Sequence, residues 1–246
     1  MKTNTIKLIQ NHRSIRKYLN KPIDDNILDE LLTAAQSASS SHNVQSYSII
    51  IIKDENKKEK LSELCGSQRW VKECPVFLVF CADLFRLKVA CEMEGREAAL
   101  NGIENLIVGV VDTSLAAQNL MIGAESYGLG GVFIGGIRND SAEVSKILNL
   151  PEYVIPVFGV CLGYPAQEPW KKPRLPQYVV VHDNEYKTEH IREGLEEYDK
   201  TTKDYYIRRT NGEKDKGWVT LMSEYINTER RLDLKGYIIS QGIKLT

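Results

Sequence analysis

The chain has 246 residues, of which 42% are hydrophobic and 26% are charged, a composition typical of one large globular domain with a full core. Its 32 Lys and Arg nearly balance 33 Asp and Glu, giving a net charge of -1, so no global field favours nucleic acid or an anionic membrane. No stretch approaches the ~20 consecutive apolar residues of a membrane span, and the N-terminus lacks the apolar core of a signal peptide. We therefore expect a cytoplasmic protein with no nucleic-acid or membrane partner.

Cysteine and histidine spacing argues against a metal site and a disulfide framework. The five cysteines are an odd number without a C-x-x-C pair, and the four histidines show no i, i+4 pairing. We expect most of the thiols to be buried, because two of them lie inside apolar runs. The cysteines are Cys65, Cys74, Cys81, Cys91 and Cys161.

The first two thirds of the chain alternate between helical and strand-like patterns. Apolar residues recur at helical spacing after Asp24, a good N-cap, which predicts a helix to about Ser37. A polar loop at 39–43 follows. Apolar and β-branched runs at 47–52, 76–81 and 157–162 then predict buried strands, and the intervening helices favour a mixed α/β sheet.

A long apolar segment from about Asn105 to Tyr127 carries only two acidic residues, Asp112 and Glu125. This pattern predicts a helix that is buried on most sides, either the central core helix or an oligomer interface. The glycines at 128–131 would end it with a left-handed cap. A short strand at 132–134 would follow, and Gly135-Gly136 would let a ligand approach the backbone closely, although turn chemistry alone is the alternative.

Beyond Asn184 the apolar pattern thins and charged residues dominate to about Arg231. We expect this region to pack as helices on the surface. The sequence contains no clear linker, so we predict a single domain, 1–246, with 184–246 as a helical C-terminal excursion.

Two cationic clusters stand far apart in the sequence, His12-Arg13-Ser14-Ile15-Arg16 and Lys172-Pro173-Arg174. An arginine fork fits a phosphate or an imide edge, while lysine acts as a movable point charge. Together the clusters could hold one phosphorylated ligand. Ordinary solvated surface residues are the alternative explanation for each cluster alone.

These clusters occur in order with the glycine-rich run Gly128-Leu129-Gly130-Gly131-Val132-Phe133-Ile134-Gly135-Gly136 and with Phe158-Gly159-Val160-Cys161-Leu162-Gly163. In this combination, from about Thr5 to the C-terminus, the chain closely resembles the nitroreductase family, specifically its NADPH-dependent nitroreductase and flavin reductase branch. The resemblance implies an α+β nitroreductase fold with a mixed central sheet flanked by helices. It also implies an intertwined homodimer with FMN in each of two interface clefts.

The resemblance also implies roles for individual residues. It assigns the flavin phosphate and ribityl chain to His12, Arg13, Ser14, Lys172 and Arg174. It assigns the pyrimidine end of the flavin to Arg16 and Gln68, the ring to Phe133, Ile134, Gly135 and Gly136, and a contact across the dimer to Ser40. Arg16, His42 and Phe133 would line the acceptor pocket, and Arg209 and Arg231 would bind NADPH. No catalytic side chain is expected, because FMN carries the chemistry.

The implied activity is FMN-dependent NAD(P)H oxidation, with NADPH favoured, and two-electron ping-pong reduction of nitroaromatics, quinones or free flavin. Two alternatives stay open at this point. The chain could be a dedicated FMN reductase that supplies reduced flavin to another enzyme, or a non-catalytic flavin-binding protein that senses redox state.

Overall fold

The computed structural model describes residues 2–244; Met1, Leu245 and Thr246 lie outside the described part, including the last two residues of the predicted excursion. The chain divides into two compact units. The first comprises the N-terminal part up to Pro169 together with the chain from Arg231 onward, and the second is Trp170–Arg230. The prediction of one domain with an excursion from 184 stays a prediction.

The first unit contains a four-stranded sheet of β1 (Tyr47–Ile52), β2 (Val76–Asp83), β3 (Gly130–Ile134) and β4 (Val154–Gly163). The strand order is β1-β2-β4-β3, which leaves β1 and β3 at the edges. The predicted buried runs are all confirmed as strands. The predicted α+β class, with a central sheet flanked by helices, is confirmed. Every strand pair in the described chain is antiparallel, so within one chain the strand directions are not mixed. A buried apolar run does not encode strand direction, and a connection that contains helices joins β1 to β2 without making them parallel.

Helices cover this sheet and extend from it. Their bounds are α1 Asn4–Gln10, α2 Asp25–Gln36, α3 Glu55–Leu64, α4 Arg69–Glu73, α5 Phe85–Met93, α6 Ile103–Ser126, α7 Ser141–Leu148 and, after the second unit, α11 Leu234–Ser240. The predicted cap of α2 is confirmed, because the Asp24 side chain accepts the N–H of Asn26. Short 3-10 turns lie at Ser41–Asn43 and Gly135–Arg138.

Helix α6 is the predicted long apolar helix, and it ends before Gly128, whose φ of 72° provides the predicted left-handed cap. Its inner face contributes Ala116, Leu120 and Ala124 to the core shared with α2 and the sheet. The outer face is open, so the prediction of burial on most sides is wrong within one chain. By length and composition alone α6 could cross a membrane, a criterion that core helices also meet.

The second unit is helical. It contains α8 (Gln177–Val180), α9 (Ile191–Arg209) and α10 (Trp218–Ile226). In α9 the buried positions are Gly194, Tyr198 and Thr202, whereas α10 has none. The charged C-terminal region thus forms largely exposed helices, as its composition predicts.

Candidate functional site

The His12–Arg16 segment lies along the outer edge of β3. The backbone N–H of Ile15 donates to the carbonyl of Gly131 at 2.8 Å, and the Ile15 side chain is buried. A Cβ at Gly130 would lie 2.4 Å from Cγ1 of Ile15, so only glycine permits this approach. One apolar anchor and one glycine therefore fix the cationic segment against the sheet.

The three basic side chains of this segment differ in their availability to a ligand. Nδ1 of His12 lies 2.5 Å from Oε1 of Glu125, and Arg13 pairs with Glu168 at 3.1 Å. The Glu168 side chain is 86% exposed, so its pairing with Arg13 is weak and exchangeable. Within residues 2–244, Arg16 forms no hydrogen bond or ion pair, and its guanidinium carbon lies 5.7 Å from the centroid of the Trp70 ring. Of these three side chains, Arg16 is therefore the one whose charge is available to a ligand.

The free edge of β3 offers backbone hydrogen-bonding groups to the site. Because the Gly131 carbonyl points away from β4 to accept from Ile15, the N–H and C=O of Phe133, two residues on, point the same way. The Phe133 ring is 37% exposed and packs edge-on against Phe158 at 5.4 Å. Ile134 is buried. At Phe133 the strand thus presents a backbone N–H and C=O that face away from β4, beside an exposed ring.

Gly135 and Gly136 form a close turn after β3. A Cβ at Gly136 would lie 2.5 Å from the Cys65 carbonyl oxygen and 2.8 Å from Nε2 of Gln68. The Gln68 amide donates to that same carbonyl at 2.7 Å, which leaves its oxygen and a second N–H for a ligand. The structure therefore brings Gln68 and Gly136 together, and their assignment to the flavin stays a prediction.

Arg231 lies at the same turn. Its Nη2 donates to the Gly135 carbonyl at 3.0 Å and to Oδ1 of Asn139 at 3.2 Å. A cavity of about 300 Å³ opens beside it, lined also by Arg138 and Ser141. The predicted NADPH residue Arg231 and the predicted ring segment are thus neighbours within the first unit.

The remaining cations of the prediction lie in the second unit. Lys172 places its Nζ 5.6 Å from the ring centroid of Tyr206, and Arg209 lies 5.5 Å from the same ring and 5.4 Å from that of Tyr205. Arg174 donates to the carbonyl of Lys172 at 3.2 Å. Lys172 and Arg209 therefore share one aromatic surface.

Ser40 and His42 lie in a separate loop of the first unit. The Ser40 hydroxyl accepts the N–H of Gln45 at 2.7 Å, and His42 is exposed with a φ of 46°. No hydrogen bond or ion pair in the described chain joins either residue to the His12–Arg16 segment. Their predicted contact with FMN, across a dimer for Ser40, stays a prediction.

Three of the buried cysteines, Cys65, Cys81 and Cys161, are not poised for nucleophilic chemistry. Burial raises the pKa of the Cys65 thiol, and that of the Cys81 thiol, to about 12. Burial, together with a hydrogen bond to Cys74, also raises the pKa of Cys161. In the described chain no group of three or more His, Cys, Asp and Glu residues could hold a metal ion. Neutral thiols are poor nucleophiles and poor metal ligands.

The sequence prediction omits three residues that shape the site. Trp70 lies beside Arg16, Glu125 holds His12, and Asp112 binds the loop that carries Ser40 and His42. The two acids were visible as isolated charges in an apolar helix. Nothing local marks Trp70, because its contact with Arg16 depends on the tertiary fold.

Comparison with known proteins gives a consistent result across the chain. Residues 9–164 match the Nitroreductase family and residues 172–246 match the Nitroreductase family, C-terminal domain. A Cr(VI) reductase from Pseudomonas sp. (strain G-1) is 43% identical, covering 96% of this chain and 97% of its own length. An FMN reductase (NADPH) from Bacillus subtilis (strain 168) is 42% identical, covering 97% and 98%.

The solved structure of B. megaterium NfrA2 superposes with a TM-score of 0.97 at 40% identity, covering 100% of both chains. The match thus extends over the sheet with its β3 edge and over the C-terminal helices. The chain belongs to the nitroreductase family.

Proposed function

We propose that this protein is an FMN-dependent oxidoreductase that oxidises NADPH and passes two electrons to nitroaromatics, quinones or free flavin. Its family membership supports the use of FMN and NADPH. The observation that carries the proposal is the open edge of β3 at Phe133, which lies between the Ile15 contact at Gly131 and the Arg231 contact at Gly135.

The residues at this edge fit a flavin. Its pyrimidine end needs both donors and acceptors, which Arg16 and Gln68 have available. Its ring needs backbone that it can approach without meeting a side chain, which Gly135, the less buried glycine of the turn, provides. Bound FMN would supply the two-electron hydride chemistry of the reaction.

The residues of the chain itself bind and orient the reactants. An unpaired guanidinium such as that of Arg16 would stabilise negative charge that develops at the pyrimidine end. The exposed Phe133 ring would form one wall for a flat acceptor. Arg231 would attract the 2′-phosphate of NADPH, which NADH lacks. The roles of His12, Arg13, Ser14, Lys172, Arg174 and Arg209 remain those that the resemblance implies.

We further propose that the protein is a homodimer in the cytoplasm. The outer face of α6 carries a stripe at i, i+4 spacing, Ile103, Ile107, Val111 and Leu115, which are 42%, 51%, 50% and 42% exposed. A continuous apolar stripe of this kind is typical of an association surface. A second copy of the same helix would bury it in an isologous contact.

A dedicated FMN reductase is the second candidate, favoured by the 42% identical B. subtilis relative that bears that name. Steady-state NADPH oxidation with nitrofurazone, a quinone and free FMN as acceptors would separate the two. Turnover with nitrofurazone comparable to that with free FMN supports the broad reductase. Turnover with free FMN alone supports the dedicated enzyme, and no NADPH oxidation with any acceptor would refute both.

A further inference from the structure

Asp112 is a buried acid in the apolar helix α6, and it is only 1% exposed. One carboxylate oxygen accepts the backbone N–H of Ser41 at 3.1 Å, and the other accepts that of Ser46 at 3.1 Å. A carboxylate is costly to bury unless hydrogen bonds replace its water. Both donors belong to one loop, Ser40–Ser46, so the function of this acid is tied to that loop.

The Ser40–Ser46 loop has an unusual backbone between these two anchors. His42, Asn43 and Gln45 have φ values of 46°, 57° and 51°, in the left-handed region that non-glycine residues rarely adopt. Such conformations persist where surrounding contacts enforce them. Here the two oxygens of Asp112 fix both ends of the strained stretch.

We propose that Asp112 is a positioning residue that presents Ser40 and His42 to the flavin and the acceptor. This inference rests on the proposed function and on the roles that the family resemblance implies, in which Ser40 contacts FMN across the dimer and His42 lines the acceptor pocket. The Ser40 oxygen already accepts the N–H of Gln45, so its own O–H is free to donate to a ligand. By holding Ser41 and Ser46, Asp112 orients the backbone that carries this hydroxyl.

The position of Asp112 also connects the loop to subunit association. Asp112 directly follows Val111, which belongs to the exposed stripe of α6, while the Asp112 side chain faces inward. One helix therefore holds the loop on one face and offers an association surface on another. A loop fixed to this helix would keep its orientation relative to a partner subunit.

The test compares Asp112→Asn and Asp112→Ala with Thr113→Val. Thr113 is a matched control because it is buried on the same helix but donates only to the carbonyls of Cys81, at 3.2 Å, and Gly109, at 2.6 Å. Each full-length variant would be characterised by its unfolding temperature, its Kd for FMN, and its KM and kcat with nitrofurazone. Amide hydrogen exchange at Ser41 and Ser46 would be measured with and without FMN.

For Asp112→Asn we expect the Kd for FMN and the KM for nitrofurazone to rise about tenfold, because one charge-assisted hydrogen bond is lost. We also expect kcat to change less than KM, and the protection of the Ser41 and Ser46 amides to fall. Thr113→Val should lower the unfolding temperature while leaving the Kd, the KM and the amide protection near the wild-type values.

A rescuing second substitution tests the proposal if Asp112→Ala does not fold. Gln45→Gly places glycine at a left-handed position, so the loop needs less support. Added to Asp112→Asn, it should recover roughly threefold of the lost FMN affinity. Positioning is refuted if Asp112→Asn matches Thr113→Val in Kd, KM and amide protection. A wild-type protein that binds no FMN would instead refute the proposed function, while the exchange measurement would still test the hold on the loop.

Discussion

Arg231 donates from its Nη2 to the carbonyl oxygen of Gly135 at 3.0 Å. This bond joins the first residue after the second unit to the glycine turn that follows β3. Arg231 itself has a φ of 56°, a left-handed conformation that this contact helps to hold. A cation that is fixed beside the proposed flavin edge is well placed to select a phosphorylated nucleotide.

We expect Arg231→Ala to raise the KM for NADPH about tenfold while changing the KM for NADH much less, because one charged contact to phosphate is lost. Arg230→Ala is the adjacent control, since Arg230 lies over the Tyr225 ring at 3.8 Å. Arg209→Ala, paired with Arg208→Ala, tests the second predicted NADPH residue. Unchanged NADPH preference in both Arg231→Ala and Arg209→Ala would remove the assignment.

The two glycines of the turn should respond differently to alanine. A Cβ at Gly136 meets the Cys65 carbonyl at 2.5 Å, whereas at Gly135 the nearest atom is Nη2 of Arg138 at 3.5 Å. We expect Gly136→Ala to lower the free energy of unfolding by about 2 kcal/mol and Gly135→Ala by less than ~1 kcal/mol. Urea unfolding of both holoproteins measures this. Equal effects would show that the turn is not closely packed at Gly136.

Removing the unpaired guanidinium should make the flavin harder to reduce. We expect Arg16→Ala to lower the flavin midpoint potential by at least ~30 mV, which for two electrons is about 1.4 kcal/mol. Lys17→Ala, a change at the exposed neighbour, should leave the potential unaltered. Spectroelectrochemical titration gives both potentials. An unchanged potential in Arg16→Ala would show that Arg16 does not interact with the flavin.

The buried thiols predict a loss of stability at high pH. Burial raises the pKa of Cys65 from 9.0 to about 12 on folding. The contribution of the neutral thiol to the stability of the folded protein is therefore complete below pH 9, and it is lost as the pH rises toward 12. Each such group contributes a slope of about 1.4 kcal/mol per pH unit in that window. In Cys65→Ala the free energy of unfolding should fall less steeply with pH, by roughly the slope of one proton. Urea unfolding at pH 8 to 11 measures this slope. An identical slope would contradict this account.

The α6 stripe predicts the oligomeric state. We expect sedimentation of the wild-type protein at micromolar concentration to show a dimer. A charge in the stripe, Val111→Asp, should produce monomers because the interface would bury an unpaired carboxylate. Val111→Ile keeps the stripe apolar and should remain dimeric. A wild-type monomer would refute the proposed dimer.

The sequence predicts the helices and strands well because their signals are local. The Asp24 cap, the apolar period of α6 and the β-branched runs each arise within a few neighbouring residues. Strand direction and the exposed face of α6 could not be predicted, since both depend on how distant segments pack. The resemblance to the nitroreductase family identifies the cationic segments and the glycine-rich segment. The roles of Asp112 and Trp70 depend on contacts between residues far apart in the sequence, which only the fold reveals.

The most direct test is an anaerobic titration of the purified protein with NADPH and, separately, with NADH, followed by flavin absorbance near its visible maximum. We predict that bound flavin bleaches rapidly with NADPH, more slowly with NADH, and recovers its colour when a nitro compound is added. A flavin that binds but stays oxidised with both nucleotides, or a protein that holds no flavin, would contradict the proposed function.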